Sequence, residues 1–545
     1  METLGKEKKY SLLLSVIIIS AAVFISYYNS FNNSFQFDDV HFIQQNSIIK
    51  SFDSFKDISF WFDFGNRAPA QFLLAINYAA GEYSVKGYHL LNTLIHLLAS
   101  IAVYFLAGML ISSKPVRSAY VLKNSGMIRL FSALIFAVHP IQTESVTYIV
   151  QRMESAAALF YFVALIFYLM LRKEKEFVKR IVFALIFLAA SVLACLTKQT
   201  SYTLPLSILL LEIYFVRDKN GRMNKVLAGV ISSVLFILVL VGLAADILPR
   251  DQMSGISRYD YLITQFKVIP NYFRLLILPY GQNIDHDITT AGSLTEFGVL
   301  AGLIFITFMT AAAYFLYRKG HLIMSFSIAW VFAVISLRSS VLPISDLMTE
   351  RRLYAAVFGA GLFIPSALFY LKDKFRSYIK PNTVIAVLAV ITVILSSATV
   401  SRNKIWSNEL TLWKDSVEKS PHKFRPNYNT AEAYKRSGDP DSALKYYFEA
   451  YKINSHSYGL CNNIANIFSG KKMWNEAESF YNKALALKPD YTKAILNLGH
   501  LYYMTARYDM AAGSYRKVLY CEPDNLQAKN NLSAILSMQK AVDEK

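Results

Sequence analysis

Two adjacent carboxylates, Asp38 and Asp39, follow closely on an apolar run, Tyr10–Tyr28. They open a polar stretch, Asn29–Gly87, that separates this run from a second one. Side chains there would sit at a water–lipid boundary. An isolated Asp-Asp is more often a solvated pair or a helix cap than a catalytic one. The other boundary loops change that reading. They collect Arg67, His89, His139, Glu144, Gln151, Arg152, Glu154, Lys198, Asp346, Glu350 and Arg351. His89, Asn92 and His96 share one helix face by their spacing. Any one of these groups is more often an anchor that snorkels to water. Together they would suit an anionic lipid headgroup. A carboxylate can take the proton from a weak hydroxyl nucleophile as a bond forms. Fixed cations can stabilise the phosphate that leaves, Arg as a fork and Lys as a point charge. Asp38 or Asp39 fits the base, and Arg152, Lys198 and Arg351 are candidate phosphate ligands.

The elements that position these groups are legible as apolar runs. Hydrophobic residues make up 54% of the 545, too many for one soluble globule. Runs near 20 residues recur to about Val400 and then stop, so residues 1–402 read as a polytopic membrane domain. The formal charge of +18 does not argue for nucleic acid, because Lys and Arg fall in short loops between the runs. Three scattered cysteines fit neither a metal site nor a disulfide framework. The first run lacks a small-residue cleavage site and reads as a retained anchor. Further spans are expected at Tyr88–Ile111, near Leu130–Val138, at Ser155–Leu171, up to Leu196, at Leu204–Val216 and at Val226–Leu248. The last four are expected at Gly298–Tyr317, His321–Leu337, Leu353–Leu371 and Thr383–Val400. Tyr261–Pro279 is apolar but carries Lys267 and Arg274, which would cost roughly 5–7 kcal/mol at depth. It is therefore expected to be interfacial or protein-buried. All strongly basic loops then fall on one side, which predicts about eleven spans, the N-terminus inside and the C-terminus outside.

The ordered strings carry a resemblance. Phe37-Asp38-Asp39, Arg67-Ala68-Pro69 and Tyr88-His89-Leu90-Leu91-Asn92 with His96 come first. Val138-His139-Pro140-Ile141-Gln142-Thr143-Glu144-Ser145-Val146 with Gln151-Arg152, Lys198-Gln199 and Glu350-Arg351-Arg352-Leu353-Tyr354 follow. This set resembles the GT-C glycosyltransferases, and most of all the transmembrane and tetratricopeptide-repeat (TMTC-type) protein O-mannosyltransferases and their bacterial relatives. The resemblance covers almost the whole chain. It implies a polyprenyl-phosphate sugar donor, catalysis associated with Asp38 and Asp39, and donor contacts from Arg67, His89, His139, Glu144, Arg152, Lys198, Glu350 and Arg351. One departure stands out. The family pattern has Lys-Glu where this chain has Lys198-Gln199, which keeps the cation and puts any role for an acid there in question.

Beyond the membrane half, residues 403–545 repeat. Ala431, Ala465 and Gly499 recur in phase, as do Tyr434, Phe468 and Tyr502, then Ala443, Ala477 and Ala511, then Tyr447, Tyr481 and Tyr515. Small residues where helices touch, with aromatics filling the gaps, make a tetratricopeptide solenoid. Three repeats are expected at 424–457, 458–491 and 492–525, with a half-repeat at 405–421 and a capping helix at 526–542. Such solenoids usually offer a concave peptide-binding groove. Asn462, Asn463, Asn497 and Asn530 could hydrogen-bond an extended backbone there, or be ordinary solvated positions.

The expected fold is thus all-α: a GT-C-like membrane bundle followed by an α-solenoid. The expected function is inverting transfer of a mannose-like sugar to Ser/Thr hydroxyls of exported protein, with the repeats engaging the acceptor. Transfer to a lipid or envelope glycan, or a non-catalytic repeat adaptor, are the alternatives. No cofactor is required in this reading. The acidic pair suits a hard divalent cation, but two carboxylates alone make a poor cage. Short loops lean towards a bacterial cytoplasmic membrane with the repeats on the outer face.

Overall fold

A computed structural model describes residues 2–63, 65–216, 240, 255–340, 342–375 and 378–543. Every regular element among them is a helix. Contacts divide the chain into two units, Met1–Thr411 and Leu412–Lys545.

The first unit is a helical bundle. Six described helices are long and apolar enough to cross a membrane: Leu12–Ser30, Val85–Ile111, Ile149–Lys173, Phe177–Thr197, Phe297–Arg318 and Pro381–Ile405. A bent pair, Ser125–Val138 and Pro140–Val146, makes a seventh if it counts as one span. The expected spans at 204–216 and 321–337 are short helices, Leu204–Tyr214 and Leu322–Ile335. The one at 353–371 is Val357–Lys374, whose last turn is charged by Lys372, Asp373 and Lys374. The expected span Val226–Leu248 lies outside the described residues. The segment expected not to span is the helix Arg258–Ile277, with Pro270 inside it, and it is absent from the six.

The bent pair organises the bundle. Pro140 has no N–H to continue the helix, and the chain turns by 47°. The break strands the last carbonyls of Ser125–Val138, and side chains from elsewhere meet them. Gln142 donates to Phe136 O (3.3 Å), His96 bonds Ala137 O (2.9 Å), and Thr399 donates to Val138 O (2.6 Å). His96 is thus a helix terminator's partner, held on its other nitrogen by the Tyr354 hydroxyl at 2.7 Å. Close helix approach does the rest. A Cβ on Gly361 would lie 2.7 Å from Ser132 O, and one on Gly302 would lie 1.9 Å from Phe266 O.

The first and last long helices are joined along their C-terminal ends. Ser26 and Ser396 hydroxyls meet at 2.8 Å, and Asn29 donates to Val400 O at 2.8 Å. Asn403 donates to Ser26 O (2.9 Å) and accepts from Thr147 (2.6 Å), while its own carbonyl accepts from Asn33 (3.0 Å). The loop after the first long helix then packs Phe55 and Trp61 against Phe72 of the helix Ala68–Gly81, with Phe55 edge-to-face to Phe60, Trp61 and Phe72.

In the second unit, helices pair as Phe424–Arg436 with Pro440–Ile453, Tyr458–Gly470 with Trp474–Leu487, and Thr492–Met504 with Tyr508–Cys521. Leu526–Asp543 follows. Ala431, Ala465, Ala443, Ala477 and Ala511 are fully buried at the helix contacts, and Tyr447, Tyr481 and Tyr515 fill the core between them. This is the tetratricopeptide solenoid that the repeating small and aromatic positions imply.

Substituting Gly302→Ala should force the helices Arg258–Ile277 and Phe297–Arg318 apart, because the Phe266 carbonyl cannot yield to a methyl at that distance. The expected cost is about 1–3 kcal/mol. A lowered thermal midpoint of the purified protein in detergent checks it.

Candidate active site

A polar cavity of about 530 Å³ opens in the first unit, lined by residues from four separate stretches. Asp38 and Phe42 come from the loop after the first long helix, which ends with Arg67 at the head of the helix Ala68–Gly81. Gln151 and Glu154 come from the start of the span Ile149–Lys173. Lys198, Gln199 and Thr200 follow the helix Phe177–Thr197, and Arg338, Asp346, Thr349, Arg351 and Arg352 come from the loop after Leu322–Ile335. Gln151, Glu154 and Lys198 stand at or near helix ends, and the other groups come from the connecting loops.

The acidic pair divides its labour. Asp39 is fully buried, and both carboxylate oxygens accept backbone N–H groups: Gln36 N at 2.9 Å and Val150 N at 2.8 Å. Burial pushes its carboxyl up to about 7, while these two bonds pull the other way. Asp38 is half-buried and lines the cavity. Its backbone N–H donates to the Tyr148 hydroxyl at 2.9 Å. The turn that presents it needs Phe37 at φ 46°, and Arg67 across the cavity sits at φ 51°. Both are left-handed, a strained state for residues with a side chain.

Cations outnumber carboxylates on the wall. Arg351 is gripped by Glu144, which accepts its guanidinium at 2.7 Å and its backbone N–H at 2.9 Å, and it reaches Asp346 at 3.5 Å. Burial works against its charge, but the Glu144 and Asp346 carboxylates hold it above the ordinary arginine value. Arg352 donates to Asp346 O at 2.6 Å, and Arg338 to the Gln199 side-chain oxygen at 2.9 Å. Burial lowers Arg338 to about 10. Lys198 is 9% exposed, bonds Gln151 at 3.3 Å and lies 3.6 Å from Glu154, whose carboxylate also accepts from Thr200 at 2.8 Å. Burial, helped by Arg67, Arg351 and Arg338, pushes Lys198 down to about 7 against the pull of Glu154. Such a wall is short of negative charge and suits an anion.

Of the residues expected from sequence, Asp38, Arg67, Lys198 and Arg351 meet in this cavity, with Glu144 behind Arg351. Gln151, Glu154 and Asp346 line it as well, and the remaining candidates are turned elsewhere. Arg152 is fully buried and donates to Leu73 O (2.9 Å), Asn77 (2.6 Å) and Tyr88 O (3.1 Å). His89 bonds Asn33 O at 3.0 Å, and His139 bonds Leu276 O at 3.2 Å. Glu350 accepts from Gln282 (2.8 Å), Asn283 N (2.6 Å) and His286 (2.9 Å). Sequence reasoning did not single out Arg338, Arg352, Thr200 or Thr349. A signal for Arg338 existed: it is a cation on the side that the positive-inside pattern leaves poor in cations. Among the described residues no group of three His, Cys, Asp or Glu side chains could hold a metal ion.

In the repeats, Asn463 donates to Tyr428 (2.9 Å) and Glu432 (2.7 Å), and Asn497 to Asn462 (3.0 Å) and Asn466 (2.9 Å). These amides tie neighbouring repeats together, whereas Asn530 is exposed.

Fold and cavity together define a helical membrane protein with a cation-rich polar site and a tetratricopeptide-repeat unit. Residues 458–491 match the tetratricopeptide repeat family. The chain is 24% identical over 522 residues to the mouse protein O-mannosyl-transferase TMTC3, covering 87% of this chain and 55% of that protein. It is 24% identical over 470 residues to a Caenorhabditis elegans protein O-mannosyl-transferase, covering 81% of this chain and 62% of that one. The chain thus resembles the TMTC-type protein O-mannosyltransferases over most of its length, and spans little more than half of theirs. Among solved structures, the first tetratricopeptide domain of Spaghetti (RPAP3) bound to an HSP90 peptide is 28% identical. It covers 22% of this chain and 94% of that one, at a TM-score of 0.21.

The low position of Lys198 predicts a pH dependence for anion binding. A bound anion favours the charged amine, so affinity is constant below about pH 7 and falls as pH rises through it. The fall should be about tenfold, the worth of one charge-assisted bond. Lys198→Arg should abolish the decline. Titration of the purified protein between pH 6 and 9 with a short polyprenyl phosphodiester, whose own charge is constant over that range, measures both.

Proposed function

We propose that the chain is a membrane glycosyltransferase of the GT-C kind, moving one mannose-like hexose from a polyprenyl-phosphate donor to Ser/Thr hydroxyls of exported proteins. The observation that carries this reading is the cavity that sets the carboxylate of Asp38 among Arg67, Lys198, Arg338, Arg351 and Arg352. The names of the similar mouse and worm proteins support the sugar and the protein acceptor.

The acceptor hydroxyl attacks the anomeric carbon while Asp38 takes its proton. The bond from that carbon to the phosphate oxygen breaks, and the lipid phosphate leaves with the electron pair. Attack opposite the leaving group inverts the anomeric configuration. The negative charge that grows on the phosphate is met by cations already in place, so little reorganisation is needed during the step. Arg351, locked by Glu144, can present a fixed fork. These cations supply the charge that a divalent ion would otherwise bring, and no metal is required. Asp39, with both oxygens bonded to backbone, serves as scaffold. The repeats engage the exported polypeptide. The basic-loop pattern favours the N-terminus inside and the repeats outside, and the short loops favour a bacterial cytoplasmic membrane.

The test is intact-mass and glycopeptide analysis of exported proteins from cells lacking the gene. These are compared with cells complemented by wild type, Asp38→Asn or Asp39→Asn. A hexose-sized mass should vanish in the knockout and return with wild type. Asp38→Asn should fail to restore it, with activity reduced by about 10²–10⁴-fold. Asp39→Asn loses an acceptor for a buried N–H, at about 1–3 kcal/mol, and should show first as less folded protein. Full restoration by both variants would remove the acidic pair from the chemistry and favour an adaptor. A change in glycolipids with none in proteins would move the acceptor to a glycan.

A further inference from the structure

We infer that Tyr148 and Trp406 are positioning residues for Asp38, so that the outer end of the last membrane helix sets the aim of the base. This rests on the proposed role of Asp38. The phenol oxygen of Tyr148 accepts the Asp38 backbone N–H at 2.9 Å, across 110 positions of sequence. Tyr148 is 1% exposed, and its ring stacks on Trp406 at 5.2 Å and 25°. Trp406, also 1% exposed, closes the helix Pro381–Ile405. Phe37, whose left-handed backbone swings Asp38 towards the cavity, leans on the same phenol from 6.4 Å.

The neighbouring bonds show what the stack is anchored to. On one side of Tyr148, Thr147 donates to Asn403 at 2.6 Å. On the loop side, Asn33 donates to Asn403 O at 3.0 Å, and Ser34 N to Ser407 O at 3.2 Å. Both the loop that carries Asp38 and the turn that carries Tyr148 are therefore fastened to residues 403–407. Burial, with Asp38 and Asp39 nearby, raises the Tyr148 phenol well above its ordinary value, so it stays a neutral acceptor. The hydrogen bonds of this brace run to residues 403–407, and Arg351 of the cavity bears on the phenol through its charge. Loosening it should misplace the base and leave the donor's phosphate contacts alone, which separates it from simple packing.

The test uses the full chain in nanodiscs, with polyprenyl-phosphate mannose and a Ser/Thr-rich peptide as probes. Tyr148→Phe keeps the stack and removes the acceptor oxygen. It should lower kcat by about tenfold with donor KM changed by less than about twofold. Trp406→Phe should retain most of kcat, and Trp406→Ala should fall as Tyr148→Phe does. Wild-type kcat in Tyr148→Phe beside an inactive Asp38→Asn would overturn the positioning role and leave the glycosyltransferase reading standing. An active Asp38→Asn would overturn that reading itself. A second readout needs no turnover: Asp38→Cys labelled by a methanethiosulfonate reagent, with and without Tyr148→Phe. A changed labelling rate supports the brace, and an unchanged rate overturns it.

Discussion

The carboxylate of Asp39 is the fastening on which the cavity end of the first unit depends. Its two oxygens take backbone N–H groups from Gln36 in the loop after the first long helix and from Val150 at the head of another. A buried carboxylate with no such donors would be costly, and a buried backbone N–H with no acceptor equally so. Each cancels the other's debt to water. The loop is thereby tied to the bundle one residue away from the side chain that faces the cavity. Asp38 needs no hydrogen-bond partner of its own to be aimed; its neighbour and the Tyr148 phenol hold the backbone on both sides of it.

The cavity behind it is an electrostatic compromise. Several cations at the edge of a low-dielectric bundle repel one another, and each is stabilised in a different way. Arg351 has Glu144 and Asp346, Arg352 has the Asp346 carbonyl, Arg338 has a neutral amide, and Lys198 shares Glu154 with Thr200. Lys198 is the one whose charge burial most readily removes. An incoming phosphate would relieve that repulsion, so the site is arranged to gain from binding an anion. Because Gln199 is uncharged, its contact with Arg338 leaves that guanidinium's charge available to the cavity.

Much of the architecture could be read from the chain because it is local. Apolar runs and a 34-residue alternation of Ala, Gly and Tyr declare themselves within one helix or one helix pair. The site was legible only by type. Asp38, Arg67, Lys198 and Arg351 share the cavity, while Arg152, His89, His139 and Glu350 are of the same kinds and in similar places, yet complete backbone hydrogen bonds inside the bundle. What separates the two sets is the partner each finds across tens to hundreds of positions, and no spacing encodes that. The same holds for Asp38 against Asp39: adjacent, identical in type, and divided by whether Val150 N–H is within reach. Arg338 was passed over because it follows an apolar run, where a cation ordinarily marks a boundary.

The suture between the first loop and the last long helix also has a consequence in time. Its bonds join residues some 370 apart in sequence. A ribosome moving at about 5–20 residues per second needs roughly 20–70 s to make that interval. Through all of it Asn403 and Ser407 are missing from the first loop, and Trp406 from Tyr148. The bonds from Val150 to Asp39 and from Asp38 to Tyr148 cross 111 and 110 positions and can close long before. The loop is therefore fastened in two stages, and its last anchor waits for the end of the membrane unit.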